Sequence, residues 1–461
     1  MSLRRIALSP ALLLALAACS SASGSSSPSG PSDGGLGDSG SLQVAQSNLP
    51  RKPAAGISQA TLGGAVTANN AFALDLYGHL RSDPSLGGGN LLTSPISASL
   101  ALTMAYAAAQ GQTATEMAKA LHYGAAAGSI FDGQNALSQA LGGRAAFALA
   151  AAKQSATENQ QPAPSPDDFQ LQIVNSVWGE HTYPWAHPFL DVMAQSYGAG
   201  VYLEDFIHQA DPARLAINAW VSSETADKIN DLLPPGAIDG TTRMVLVDAI
   251  HLKLPWLNPF MVSATASSTF MKSDGSKVTT SFMNQTQEWS YADDGKAQIV
   301  SLPLMGDQVA VVIALPHGDL ATYEAGLTPS SLATPTATTN VQLSLPKLAF
   351  TSPTFSLAKS LKAMGMVQAF DSTAADFKGA CPNPPDGLNL YVSDVLQKVM
   401  VAMQETGVEA AAATAVVLAG GGVPSQPVPM TVDRPFIFAI EDVTTGAILL
   451  LGHIEDPTQG G

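Results

Sequence analysis

One stretch near the C-terminal end restricts the possible fold more than any other. It begins at Glu405 and Gly407, continues as an alanine-rich run, and ends in three glycines and Pro424. Its glutamate and alanine content favours a short helix over residues 409–419, because alanine loses no side-chain entropy on becoming helical. The flanking glycines and the proline favour a loop, since an isolated helix of this length is only marginally stable in water. Helix propensity alone therefore leaves both structures open.

The same stretch is also compatible with a β-strand. Alternate residues of a strand point to opposite faces, and one face would carry only Glu409 and small residues. The other face would carry Val408, Ala410, Ala412, Thr414, Val416 and Leu418. The pattern therefore predicts a loop that can enter a sheet as a strand without steric conflict.

This stretch resembles the hinge of the reactive-centre loop of the serpins, a family of serine protease inhibitors. The residues that carry the resemblance are Glu405, Gly407, Val408, Glu409, Ala410, Ala411, Ala412, Ala413 and Thr414. In that family, small hinge residues allow the loop to insert into the central sheet. Valine at position 408 departs from the usual threonine or serine, but a side chain of such similar shape should still insert.

Further motifs extend the resemblance, in the order found in serpins, over about residues 65–458. They include residues 90–102, 111–116, 171–179, 341–347, 434–440 and 445–452, and the pair Trp256 and Phe260. The resemblance implies an α+β fold: a single serpin-like domain with three β-sheets, a bundle of about eight or nine helices, and an exposed reactive-centre loop at about residues 405–429. It also implies that Trp256 is the aromatic residue of the breach, where the loop begins to insert.

The N-terminal residues predict export and attachment to a membrane. Arg4 and Arg5 precede an apolar run over residues 6–18 that is too short to span a bilayer and is typical of a secretory signal. The run is followed by Cys19 in a context that resembles the bacterial lipobox, so we expect a signal peptide over residues 1–18 and a lipid on Cys19. An ordinary signal peptide with an incidental cysteine is the alternative.

Residues 19–60 are rich in Gly, Ser and Pro and predict a disordered tether, because such a composition buries too little apolar surface to fold. The serpin-like domain would then occupy residues 61–461. With a lipid at its start, the protein would be anchored to the bacterial cell envelope, with the outer membrane favoured by the usual sorting tendency, or it would be extracellular.

Charge and cysteine content restrict the partners. The formal net charge is −16 and the chain has no run of lysines, so nucleic acids and polyanions are poor partners. Cys381 is the only cysteine besides Cys19, so a lipid on Cys19 leaves no internal disulfide. We expect a monomer that binds a target protease and, through its lipid, a membrane, and that needs neither a cofactor nor a metal ion.

The resemblance implies a protein that is attacked by an enzyme and is not itself one. A target serine protease, or sometimes a cysteine protease, cleaves the loop and is held as an ester while the hinge inserts. Family spacing from the hinge places the scissile bond between Gly421 and Gly422. A count from the strand after the loop leaves the bond open over residues 418–423. The small and aliphatic residues in this range favour elastase-like or subtilisin-like targets.

A polar cluster at the point where the sheet opens departs from the family pattern. Ser94 and Ser97 match the family's serines, whereas Asp248 and Gln397 replace an asparagine and a histidine. We hypothesise that Gln397 donates a hydrogen bond to the carboxylate of Asp248 and rebuilds the cluster without a titrating imidazole. In the alternative, Asp248 points away from this cluster and the hydrogen bonds of the site are arranged differently.

Two other classes of function stay open at this stage. A serpin without inhibitory activity would act as a carrier, storage or chaperone-like protein, although the small residues of the hinge favour inhibition. A lipid-anchored hydrolase or a solute-binding lipoprotein would need a site of its own. The sequence has no nucleophile elbow and no histidine pair at metal-ligand spacing, and His181 and His187 are more typical of surface or hydrogen-bonded structure.

Overall fold

The computed structural model describes residues 42–86, 88–124, 127–409 and 426–460. Three groups of predicted residues lie outside these ranges: the signal peptide with Cys19, the hinge residues 410–414, and the candidate scissile bond between Gly421 and Gly422. Within the described ranges, none of the helices is both long enough and apolar enough to cross a bilayer.

Helices and strands alternate along the described part of the chain. The α-helices are α1 (Gln59–Arg81), α2 (Pro95–Tyr106), α3 (Gly111–Ala120), α4 (Ala127–Gly142), α5 (Arg144–Glu158), α6 (His187–Val192), α7 (Ala210–Glu224), α8 (Leu320–Glu324) and α9 (Ala358–Ala363). The strands are β1 (Gln43–Ala45), β2 (Leu91–Thr93), β3 (Gln170–Glu180), β4 (Val201–Glu204), β5 (Met244–Pro255), β6 (Ala266–Met271), β7 (Lys277–Asp293), β8 (Ala297–Pro303), β9 (Val309–Pro316), β10 (Thr338–Pro346), β11 (Leu348–Thr351), β12 (Phe355–Ser356), β13 (Val395–Gln397), β14 (Met400–Gln404), β15 (Gly407–Val408), β16 (Val428–Thr431), β17 (Phe436–Asp442) and β18 (Ala447–Ile454).

Helix α2 lies at the centre of the fold. Residues 95–105 of this helix are all buried, as expected for a helix that other elements enclose on every side. Pro95 is tolerated in its first turn, because the N–H that proline lacks would have no partner inside the helix there. Helix α2 packs against β3 and β5 and also against β18, so it connects the two sheets of the molecule.

The strands form two continuous sheets. The first has the order β1-β4-β3-β5-β15-β14-β11, with β13 beside β5 and β12 beside β13. The second has the order β16-β10-β7-β8-β9-β17-β18-β2, with β6 beside β7. From the sequence we predict three sheets, but long strands connect them into two. Strand β7 has 17 residues and pairs with β6 at its start, with β10 in its middle and with β8 at its end. The predicted α+β class is confirmed.

Strand β5 is buried on both faces, which places the first sheet between two hydrophobic cores. Leu246 and Ile250 belong to the main core, whereas Val245 and Val247 belong to a smaller core with residues of α7. This alternation follows from the period of two in a strand. A strand added beside β5 would therefore face the main core on one side.

The folded part of the chain begins earlier than we predict from the sequence. Strand β1 pairs antiparallel with β4, and Arg51 donates hydrogen bonds to Asn135 Oδ1 at 2.9 Å and to Ser138 Oγ at 3.0 Å. The prediction of a disordered tether over residues 19–60 is therefore wrong for residues 42–60. Without β1, strand β4 would be a sheet edge with unpaired backbone groups, and the short segment supplies their partners.

Candidate functional site

The first residues of the predicted loop form a strand within the first sheet. Gly407 and Val408 form β15 between β5 and β14, with Val408 opposite Leu254 on one side and opposite Met403 on the other. Both pairings are antiparallel. Val408 is 1% exposed and belongs to the main core. Its side chain therefore lies on the inward face of the sheet.

Beyond this short strand, the described residues leave a gap in the pairing of β5. Strand β13 pairs with β5 in parallel as far as Gln397 opposite Asp248, so the sheet is closed again at its other end. Between these two pairings, residues 249–253 of β5 have no strand partner on this side within the described part of the chain. We call this unpaired stretch between β5 and β14 the slot. Its backbone groups can accept a further strand.

Glu405 fixes the chain just before it enters the sheet. Its carboxylate accepts hydrogen bonds from Lys347 Nζ at 2.9 Å and from Thr265 Oγ1 at 2.9 Å, and its carbonyl accepts one from the backbone N–H of Phe260 at 2.8 Å. Burial acts to raise the pKa of Glu405, but the hydrogen bonds from Lys347 and Thr265 hold it below its usual value. The buried carboxylate is therefore charged and paired.

Trp256 directly follows β5 and lies beside the start of the loop. Its indole N–H donates to the carbonyl of Gln404 at 2.7 Å, and its backbone N–H donates to the carbonyl of Thr406 at 3.0 Å. The ring is buried and packs edge-on against Phe260, with 6.1 Å between the ring centroids. Trp256 thus holds the chain on both sides of Glu405 against the end of β5.

Glu409 is the residue after β15, and it departs from the strand conformation. Its backbone N–H still donates to the carbonyl of Ala402 at 2.5 Å, but its φ of 45° lies in the left-handed region, which does not continue a strand. Its carboxylate lies 2.9 Å from His251 Nε2 and 2.7 Å from Lys228 Nζ. Burial opposes ionisation, yet these two partners hold the pKa of Glu409 below its usual value.

His251 and Lys228 are candidate functional residues that the sequence does not reveal. The side chain of His251 is only 4% exposed, and a polar residue inside the apolar run of β5 is a signal that could have drawn attention to it. Lys228 follows α7, and no local charge pattern connects it with the loop. Only the folded chain brings the two residues to Glu409.

The predicted polar cluster forms where β13 and β5 close the slot. Gln397 Nε2 donates to Asp248 Oδ2 at 2.8 Å, and Gln397 Oε1 accepts hydrogen bonds from the backbone N–H of Ser94 at 2.9 Å and from Thr93 Oγ1 at 2.7 Å. All four residues are buried. The hypothesised hydrogen bond between Gln397 and Asp248 is present, so the alternative in which Asp248 faces elsewhere does not hold.

Ser97 extends the cluster to β3. Its hydroxyl lies 2.9 Å from Asn175 Oδ1 and 3.1 Å from the carbonyl of Ala249. Asn175 lies opposite Asp248 in the pairing of β3 with β5. The cluster therefore connects α2, β3, β5 and β13 at the closed end of the slot.

Asp248 makes this end of the slot sensitive to pH. Burial raises the pKa of its carboxyl group to about 7, and the hydrogen bond from Gln397 offsets only part of that effect. Its Oδ1 has no hydrogen-bond partner among the described residues. Because the pKa is higher in the folded chain than in the unfolded chain, the folded form binds this proton more tightly. The contribution of Asp248 to stability therefore decreases as the pH rises from about 4 to about 7.

We expect the substitution Asp248→Asn to remove this part of the pH dependence. Between about pH 5 and about pH 7, the wild type should lose about 1.4 kcal/mol of unfolding free energy per pH unit through this group, and the variant should not. Urea denaturation of both proteins at several pH values measures the difference. Asp274→Asn is the control, because the pKa of Asp274 is lowered and this exposed residue titrates below that range. Parallel stability curves for the wild type and Asp248→Asn would contradict the prediction.

One group of described residues has the geometry to hold a metal ion. Glu180, His181 and Asp205 bring one ligand atom each within 4.8 Å of one another. The carboxylate of Glu180 already accepts hydrogen bonds from the backbone N–H of Phe206 at 2.9 Å and from Thr182 Oγ1 at 2.9 Å. We therefore interpret Glu180 as an anchor for the chain that follows β3 and β4.

The fold and the site together define a class of protein in which the first residues of a long loop pair in a sheet, next to an unpaired stretch of its central strand β5. The chain belongs to the serpin family: the family model described as serpin (serine protease inhibitor) matches residues 67–457. The leukocyte elastase inhibitor of Homo sapiens is 30% identical over 409 residues, which cover 85% of this chain and 99% of that protein.

Solved structures have the same fold. The native state of tengpin, a thermophilic serpin, superposes with a TM-score of 0.72 at 25% identity and covers 90% of this chain and 96% of tengpin. Human thyroxine-binding globulin in complex with its ligand gives a TM-score of 0.71 at 25% identity, covering 87% of this chain and 100% of the globulin. The predicted serpin fold is confirmed.

Proposed function

We propose that this protein inhibits a serine protease by offering its loop as a substrate and inserting the cleaved loop into its own sheet. The observation that carries the proposal is the position of Gly407 and Val408, which pair with β5 and β14 directly beside the slot. A loop that is anchored there can continue into the slot residue by residue. Such a starting point shortens the path that the loop must follow after cleavage.

The register of β15 indicates how the inserted loop would lie. Continued antiparallel to β5, the strand would place Ala410 opposite Leu252 and Ala412 opposite Ile250. Both partners in β5 belong to the main core, so inserted residues on this face must be small or apolar. The alanines at these positions meet that condition.

The protease carries out the chemical step. Its catalytic serine attacks the carbonyl carbon of the residue before the scissile bond, the peptide C–N bond breaks, and the new amine leaves with a proton. The protease is then bound to the loop as an ester, which water would normally hydrolyse. Insertion carries the bound protease away before hydrolysis is complete, so trapping depends on the ratio of two rates.

Insertion is favourable because it supplies partners for unpaired backbone groups. About a dozen residues would gain ladder hydrogen bonds, each worth about 1 kcal/mol net. The total, on the order of 10 kcal/mol, is comparable with the whole stability of a typical protein, about 5–15 kcal/mol. Full insertion must first separate β13 from β5 and break the hydrogen bond from Gln397 to Asp248. The form with its loop outside the sheet is therefore kinetically stable.

For the target we propose an elastase-like or subtilisin-like protease that cleaves between Gly421 and Gly422. The residues from 418 to 423 are small or aliphatic, and a relative with 30% identity is named leukocyte elastase inhibitor. The apolar N-terminal run and the lipobox-like context of Cys19 support export and lipid anchoring, so we propose that the protein acts at the cell envelope.

The test is incubation of the full chain with an elastase-like and a subtilisin-like protease. We expect a complex that survives denaturing electrophoresis and a released C-terminal peptide whose mass shows that it begins at Gly422. A protease with alanine in place of its catalytic serine is the control and should give no such complex. Complete cleavage of the loop without any complex would contradict inhibition.

A carrier function is the second candidate. The observation in its favour is the likeness to thyroxine-binding globulin, a serpin whose structure contains a small ligand. A carrier has no need to trap a protease, so it would be cleaved without forming a complex. The same incubation therefore separates the two functions.

A further inference from the structure

We infer that His251 and Lys228 are positioning residues, which clamp the carboxylate of Glu409 and hold the intact loop back from insertion beyond Val408. We call these three side chains the Glu409 clamp. The geometry of the clamp stands on its own, whereas its consequence for inhibition rests on the function proposed above.

The three side chains of the Glu409 clamp come from three separate parts of the chain. Glu409 follows β15, His251 belongs to β5, and Lys228 lies on the segment after α7. The carboxylate of Glu409 contacts His251 Nε2 at 2.9 Å and Lys228 Nζ at 2.7 Å. The side chains of Glu409 and His251 are 10% and 4% exposed. Water therefore screens the contact between Glu409 and His251 far less than it screens an ion pair on the open surface.

The segment that carries Lys228 is firmly held. The backbone N–H of Lys228 donates to the carbonyl of Thr225 at 3.0 Å. Ala226 and Asp227 form a tight left-handed turn, with φ values of 50° and 60°. The next residue, Ile229, is 0% exposed and belongs to the core beneath α7. The backbone that carries the Lys228 side chain is therefore held in a fixed position.

The Glu409 clamp holds the loop in a conformation that cannot continue as a strand. The φ of Glu409 is 45°, whereas an antiparallel strand needs about −140°. In a continued strand, Glu409 would lie opposite Lys253 and Ala411 would lie opposite His251, on the same face of the sheet. The carboxylate must therefore leave its place beside His251 before Ala411 can take that position.

Loss of the Glu409 clamp should let the intact loop advance into the slot. The left-handed conformation of a residue other than glycine is unfavourable by itself, so Glu409 would relax towards the extended conformation once its two partners are absent. The expected product is an intact protein with its loop inserted. Such a form could no longer present the scissile bond to a protease.

The test follows spontaneous conversion of the intact full chain without protease. Aliquots are taken at intervals, and the remaining exposed loop is measured by its susceptibility to a brief pulse of subtilisin. We expect Lys228→Ala and Glu409→Gln to convert about tenfold faster than the wild type, a factor that corresponds to about 1.4 kcal/mol. Lys228→Arg keeps the charge and should restore a rate close to that of the wild type. Lys228 is 42% exposed, so its substitution leaves the buried core intact.

A matched control comes from an ion pair that lies away from β5 and the loop. Lys52 is 47% exposed and pairs with Asp132 at 3.1 Å, without involving a loop residue. Lys52→Ala removes the same charge and should leave the conversion rate unchanged. Because Lys228 acts through Glu409, the double variant should convert no faster than Glu409→Gln alone.

The outcomes separate this inference from the proposed function. Equal conversion rates in the wild type, Lys228→Ala and Glu409→Gln would overturn the inference, whether or not the wild type traps a protease. Faster conversion of both variants, in a protein that forms no complex with any protease, would support the Glu409 clamp and contradict inhibition.

Discussion

Arginine in place of Ala410 is expected to turn the protein from an inhibitor into a substrate of its target. In the register of β15, this residue would lie opposite Leu252, on the same face as the buried Val408. A guanidinium group without a partner at such a position destabilises the inserted state by several kcal/mol, about 3–5. Insertion therefore becomes slower, while the scissile bond further along the loop stays accessible to the protease.

The expected readout is the number of inhibitor molecules consumed for each protease molecule trapped. This number should rise at least about tenfold, because 1.4 kcal/mol in a barrier changes a rate tenfold. Titration of protease activity, with electrophoresis of the products, measures it. Ala411→Arg is the matched control on the opposite face, where the chain already carries the charge of Glu409, and it should have the smaller effect. A wild-type yield of complex from Ala410→Arg would show that the inward face is assigned wrongly.

Cleavage of the loop is expected to make the protein markedly more resistant to heat. The inserted strand would fill the slot between β5 and β14 and would add on the order of 10 kcal/mol of stability. For a chain of this size, that gain corresponds to a rise in Tm of at least roughly 10–20 °C. Calorimetry or circular dichroism of the intact protein and of the nicked protein, freed of protease, measures the difference.

The nicked Ala410→Arg variant provides a control for this second result. It carries the same break in the chain, but its arginine opposes insertion at the second inward position after Gly407, so its Tm should rise less. Equal Tm values for the intact and nicked wild type would mean that the cut loop does not become a strand. Trapping of a protease would then have no physical basis.

Much of this fold can be recognised from sequence because its strongest signals are local. The predominantly apolar runs of β5, β9 and β17 predict buried strands without knowledge of their neighbours. The period of two in the loop predicts the inward orientation of Val408, which the structure confirms. The contact between Asp248 and Gln397, 149 residues apart, follows only from the resemblance to a family.

Other features depend on neighbours that no local pattern contains. The residues of β1 carry little strand signal of their own, and they form a strand because the edge of β4 offers unpaired backbone groups. The raised pKa of Asp248 likewise follows from complete burial between β3 and β13 and not from its place in the sequence.

The amino-acid sequence by itself determined that a loop with small residues on its inward face is able to become a strand, since that property depends only on side-chain size and alternation. The tertiary structure alone decided that Gly407 and Val408 pair in the sheet and that Glu409 departs from the strand conformation. Glu409 there has contacts of 2.7 Å and 2.9 Å with two residues from distant parts of the chain. Electrostatic attraction of this kind depends on distance and burial, and only the folded chain sets both.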